Sequence, residues 1–286
     1  MKGLRHLRRH VWQAVLVFAG ACVTPAISHA QSAAQGATAL PPVAVTAQAN
    51  RDPVEKSYRK MIRGMDLYER LKARLAPDST LRFRLWPRKR DTDMARVELN
   101  VLGSTVETEV PLGADGTFTL QRDARAWDED AQVTPNRRRQ SMTWRTDIRT
   151  PGLPPNTRRL GDMRLECQVG MEAGLVSNDR SFLGRMVGAM LDSPAYCGRP
   201  VPHYLFFADR PVFSVTLVAG ARRQVLSIDM LYAGASEDPG LPADLPYCDC
   251  EVLLDRTFYL PLGDTSWPDD TLVEIEFMQD AAAPTP

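Results

Sequence analysis

A single change of apolar period constrains this chain more than any other feature. Apolar side chains fall at 54, 58, 61, 65, 68 and 75, with Ile62 and Leu71 widening the stripe. That spacing predicts a helix with one buried face. Asp52-Pro53-Val54-Glu55 supplies its start: an acidic cap, a proline at the first helical position and a glutamate completing a capping box. Pro77 ends it, and from Thr80 the period is two. Leu81, Phe83 and Leu85 alternate with Arg82 and Arg84, and Val97, Leu99 and Val101 with Glu98 and Asn100. The expectation is a mainly β protein of antiparallel β-sandwich type, with an N-terminal amphipathic helix over 51–76 and one short internal helix at Ser181–Leu191.

Residues 77–121 read as a β-meander, with Asp115-Gly116 turning the chain into Thr117-Phe118. Residues 122–160 read as a long polar loop or a domain boundary. Trp127 and Trp144 lie in it, together with the run Arg137, Arg138 and Arg139; these five are the candidate partner contacts. A β domain carrying disulfides is expected over 161–280. Its clearest strand is Met163, Leu165, Cys167, Val169 and Met171, alternating with Arg164, Glu166, Gln168 and Gly170. Further strands are expected at 203–208, 212–219, 224–232, 248–254, 257–262 and 271–277, and 281–286 is a tail.

The first thirty residues bear on compartment. Lys2, Arg5, Arg8 and Arg9 precede the apolar run Val11–Val23, which is too short to span a bilayer, and Ser28-His29-Ala30 matches a signal-peptidase site. Export to the periplasm with cleavage before Gln31 is the expectation. A lipoprotein reading through Cys22 is disfavoured, because Ala19 stands where a leucine-like residue is wanted. Residues 31–50 read as a flexible leader, and no transmembrane segment is expected after the signal. In that compartment Cys167, Cys197, Cys248 and Cys250 are expected to form two disulfides. Cys248 and Cys250 stand one residue apart, so each is expected to pair outward, with Cys167 or Cys197.

Charge is unevenly distributed. Residues 51–90 hold thirteen Lys/Arg against five Asp/Glu, and residues 224–286 hold one against thirteen. Neutralisation of the two ends across an internal interface is the preferred reading, and the balance after the signal, slightly acidic, argues against nucleic acid as a partner.

Few chemistries fit. His203 is the only histidine after the signal, which removes multi-histidine acid-base and metal schemes. Ser57-Tyr58-Arg59-Lys60 matches the Ser-x-x-Lys of penicillin-binding enzymes, but those need a later Lys-Thr-Gly and Lys89 is the last lysine. Asp123, Asp128, Glu129 and Asp130 lack calcium-loop spacing. No cofactor is expected.

Three resemblances follow from short motifs. Leu40-Pro-Pro-Val-Ala-Val-Thr-Ala-Gln48 resembles a TonB box, which implies an extended docking strand at 40–48. Residues 81–120, with Gly113-Ala-Asp-Gly-Thr-Phe118, resemble carboxypeptidase regulatory-like, transthyretin-like β-sandwich modules; the likeness implies a binding or structural module without catalytic residues. The layout as a whole is similar to exported proteobacterial proteins of unknown function. The expected function is therefore a non-enzymatic envelope protein holding a protein or glycan partner on a sheet face or on the 122–160 loop. The alternative is a hydrolase of an envelope polymer, with carboxylates such as Asp162 and Glu166, or members of the 249–255 cluster, as acid and base.

Overall fold

The computed structural model describes residues 55–88, 91–137, 141–176, 193–199, 204–232 and 253–279, all within one compact unit. The expected signal, leader, docking strand at 40–48, helix at 181–191 and tail lie outside the described residues, as do Arg138, Arg139, His203, Cys248 and Cys250. Strands β1 (Lys56–Ser57) and then helix α1 (Tyr58–Leu75) open the fold. The helix begins later than the sequence predicts. Ser57, not Asp52, caps it by accepting the Lys60 amide at 3.2 Å, and Glu55 stands before it. Its buried stripe is Tyr58, Met61, Ile62, Leu67, Tyr68 and Leu75.

The chain then runs through β2 (Thr80–Pro87), β3 (Leu99–Leu102), β4 (Glu107–Glu109) and β5 (Thr117–Phe118). These do not form a meander. β3 pairs with β4 as a hairpin, but β2 pairs with β5 and skips both. The Gly113–Phe118 turn therefore carries the chain from one sheet to another, with Asp115 accepting from the Thr117 amide and hydroxyl.

Residues 122–160, expected as a long polar loop or a domain boundary, hold four elements: α2 (Ala124–Asp128), β6 (Gln132–Pro135), β7 (Met142–Arg149) and β8 (Thr157–Arg159). β7 flanks β2, the middle strand of its sheet, and is matched to it residue for residue from Thr80–Arg149 to Pro87–Met142. Its polar side chains disguised it: Thr143, Arg145, Thr146 and Asp147 are all buried. They are bonded inside, which is what makes their burial tolerable.

The strand expected through Cys167 is instead helix α3 (Leu160–Glu172). Leu160, Met163, Cys167 and Met171 form one helical face, and Leu165 and Val169 another, so the element is buried nearly all round. When both faces are buried, an alternating pattern no longer separates strand from helix. α1 and α3 pack closely where a Cβ on Gly64 would stand 2.9 Å from that of Ala173.

The last elements are β9 (Phe206–Phe207), β10 (Val212–Ala219), β11 (Arg222–Val225), β12 (Thr257–Phe258) and β13 (Leu272–Phe277). The sheets run β1-β6-β3-β4, β5-β2-β7, β11-β10-β13-β8 and β12-β9, and all their pairings are antiparallel. The protein is mainly β with few helices among the described residues. One apolar cluster joins Tyr58 and Met61 to Phe83, Leu99, Phe118, Val133 and Trp144. Another gathers α3 with β9, β10, β12 and β13 around Trp267. Cys167 is bonded to Cys197, in a short 3-10 turn at Pro194–Gly198. That corrects the expected connectivity, since neither is left to pair with Cys248 or Cys250. No described helix is long and apolar enough to cross a membrane.

Candidate binding surface

The candidates taken from the sequence fall mostly into structural roles. Trp144 lies in the core, edge-on to Phe118 at 5.9 Å, and presents no surface to a partner. Trp127 is half-buried; the Arg59 guanidinium stands 5.6 Å from its ring and donates to its carbonyl at 2.7 Å, tying α2 to α1. Arg137 donates to the carbonyls of Asp93 and Asn136, beside an open polar cleft of about 560 Å³ that Asp91, Asp93 and Arg96 also line. Ser57 serves as a helix cap and donates to Asp130. Asp123 caps α2, and the Glu129 carboxylate accepts from the Thr105 amide and hydroxyl, which hold it below the usual carboxylate range.

The carboxylates proposed as acid and base are likewise engaged. Asp162 accepts from the Thr150 amide and hydroxyl, each at 2.8 Å, and so fastens the end of β7 to the first turn of α3. Glu166 accepts from Arg158 at 2.6 Å and from the Ile148 amide at 3.2 Å. Burial raises its carboxyl against the pull of Arg158, but the pair is sealed in the interior, where no polymer reaches. Asp147 sits beside them, bonded at 2.7 Å to both Arg82 and Arg149; burial pushes it up, yet Arg149, Arg158 and Arg82 outweigh that and hold it at about 2. The described ion pairs of the basic N-terminal stretch reach Asp115, Asp130, Asp147, Glu172 and Asp209, in the middle of the chain. The acidic C-terminal stretch is met by Arg164 and Arg223. The described ion pairs of both stretches therefore run to the middle of the chain rather than between the ends.

The outer face of the sheet β11-β10-β13-β8 is different in kind. Val215, Leu217, Val273 and Ile275 point inward and are buried. Ser214, Thr216, Glu274 and Glu276 point outward, as the strand alternation requires. Ser214 donates to Glu276 at 2.9 Å, and Arg223 to Glu274 at 2.7 Å. Over this face lies a trough of about 650 Å³, edged by Asn156, Arg210 and Phe277, with the Arg210 guanidinium 4.5 Å from the Phe277 ring.

One end of the face is apolar and uncovered. The register shifts between Val212 and Ser214, leaving Phe213 as the extra residue of a bulge. Phe213 is 61 % exposed, and Val225 and Ile228 are exposed to a similar extent. The strand expected over 224–232 ends at Val225, and Ile228 opens a 3-10 turn, Ile228–Met230, just beyond it; the Met278 amide bonds the Pro211 carbonyl two residues before Phe213, and Met278 is also exposed. Strict alternation in the sequence hides the exposure of Phe213, since it assigns that residue to the same side as Val215 and Leu217.

No family model, no curated protein and no solved structure matches this chain.

Proposed function

We propose that this chain is an exported, non-enzymatic module of the periplasm, of antiparallel β-sandwich type, that holds an envelope protein or glycan on the outer face of β11-β10-β13-β8. The observation that carries the reading is the exposure of Phe213 on β10 and Val225 on β11, apolar residues of the same sheet whose outer face bears a polar trough, as an apolar anchor with a hydrogen-bonding rim requires. The buried disulfide between Cys167 and Cys197 supports an oxidising compartment, and the Lys2–Ala30 segment supports export to it. The resemblance of residues 81–120 to carboxypeptidase regulatory-like modules points to the same class of function.

A photo-crosslinking residue at position 213 tests this, with position 102 as control, since Leu102 is also exposed but belongs to a different sheet. In periplasm-exporting cells, a specific adduct at 213 and none at 102 is the expected result. An adduct of twice the chain mass reports self-association instead. Equal labelling of both sites, or of neither, overturns the reading.

A further inference from the structure

Among the described residues, the edge strands β11 and β4 treat a second copy of the chain in opposite ways. On β11, the Leu226 amide donates to the Val215 carbonyl at 2.8 Å in the same register that sets Thr216 against Val225. Bonded and non-bonded pairs alternate in an antiparallel ladder. Arg222, Gln224 and Leu226 therefore bond inward to β10, while the amides and carbonyls of Arg223 and Val225 face out, without partners among the described residues. On β4, the bonds from Gly103 to Val106 and from Val110 to Leu99 set the same alternation and make Glu107 and Glu109 the outward rungs.

A twofold axis that pairs β4 with its copy on both outward rungs sets Glu107 against Glu109 twice. Like charges directly opposite destabilise a ladder, and this edge is guarded. The same operation on β11 sets Gln224 against Gln224, Arg223 against Val225 and Arg222 against Leu226. No like charges meet. The Arg223 guanidinium is already neutralised by Glu274 at 2.7 Å, and Val225, 64 % exposed, gains cover from the adjoining strand. Shifting the axis by one residue either faces Arg223 with Arg223 or forfeits a rung.

We propose that the chain forms a twofold dimer by antiparallel pairing of β11 with β11 of a second copy, joining two four-stranded sheets into one of eight strands. This goes beyond the partner reading and does not depend on it. Its consequence for that reading is bivalence: the two troughs come to lie on one continuous face.

The test uses the processed chain with its disulfide intact, measured by sedimentation equilibrium. Wild type is expected to be a concentration-dependent dimer that stops at two. Val225→Glu, which sets a carboxylate opposite Arg223, is expected to tighten it, and Val225→Lys to weaken it about tenfold over two symmetric pairs. Both variants are expected to keep the circular dichroism spectrum of wild type. Gln224→Cys is expected to give a covalent dimer on a non-reducing gel, because the two positions face each other in a non-bonded pair. A wild-type chain that stays monomeric up to its solubility limit overturns the proposal. So does a dimer indifferent to both Val225 variants. Reversed signs, with masses growing past two, overturn it in favour of β11 pairing head-to-tail with the acidic β4 edge.

Discussion

The centre of the molecule, where β7 and β8 meet α3, and the sheet β11-β10-β13-β8 solve the same problem with different chemistry. The sheet covers itself by alternation, burying Val215, Leu217, Val273 and Ile275 and leaving polar groups in water. The centre buries charge: Arg158, Glu166, Asp147 and Asp162 lie inside, each against a partner at 2.6 to 2.8 Å. The lesson is that polar residues in sequence mark solvent only where nothing inside answers them. The centre is held by mutual satisfaction, so removing one member should cost more than removing two.

The largest effect is expected at the Arg158–Glu166 pair. Arg158→Ala leaves Glu166 in the interior without its cation, and we expect a loss of roughly 3–5 kcal/mol in urea unfolding. Arg158→Met with Glu166→Leu removes both charges at similar volume, and should recover most of that loss. If the double variant is as unstable as the single one, packing rather than charge satisfaction holds the centre.

Next in size is the disulfide, which joins the central helix α3 to the turn at Pro194–Gly198 across a sequence separation of 30. Closing a loop of that length restricts the unfolded chain, so Cys167→Ala with Cys197→Ala should cost about 3–4 kcal/mol. Both sulfurs belong to buried residues, so the bond should also resist reductant in the folded protein. Peptide mapping of unreduced protein should recover the Cys167–Cys197 cross-link.

How much of this was legible in the sequence follows the same division. β10 was read from Val212 to Ala219 with its exact ends, and β13 within one residue, because one face of each is wet and the period of two survives. β7 looks like loop in the sequence because Arg145, Thr146 and Asp147 read as solvated; in the structure Leu205, Glu166 and Arg82 meet them. α3 was read as strand because its polar residues are buried along with its apolar ones. The deciding partners are distant in sequence: Asp147 meets Arg82 across 65 residues, and Arg145 meets the Leu205 carbonyl across 60. Of the candidate site residues, Trp144 failed for the same reason, a core aromatic in a segment that looked wet. Phe213 was missed because a one-residue bulge reverses the side on which an alternating pattern places it.

Acid titration should act on the buried charges of the centre, to a smaller extent. The Asp147 carboxyl is held at about 2 in the folded protein, against an ordinary value of 3.8. A depressed folded value contributes stability that is present above the ordinary value and is lost as pH falls from there through about 2. The loss should be about 2 kcal/mol. Burial raises Glu166, which contributes with the opposite sign above its ordinary value of 4.5, so the two must be separated. Asp147→Asn should be less stable than wild type at neutral pH, and the difference should shrink steadily below pH 4. A constant difference across the acid range would remove Asp147 from the account.

The smallest expected effect is the one most specific to the sheet. Phe213 and Val215 stand two apart on β10, and simple alternation puts both in the core. The bulge between Val212 and Ser214 breaks that parity: Val212 and Val215 are fully buried, while Phe213 is 61 % exposed. Phe213→Ala should therefore change the unfolding free energy by less than about 0.5 kcal/mol, the usual range for a surface substitution. Val215→Ala, which deletes only two methyl groups, should nevertheless cost more, on the order of 1–3 kcal/mol, because it opens a cavity in the core. The inequality runs against side-chain size, so it reports orientation and little else. If Phe213→Ala proves the more damaging of the two, the ring faces inward, the bulge is absent, and the face that bears the trough loses its apolar anchor.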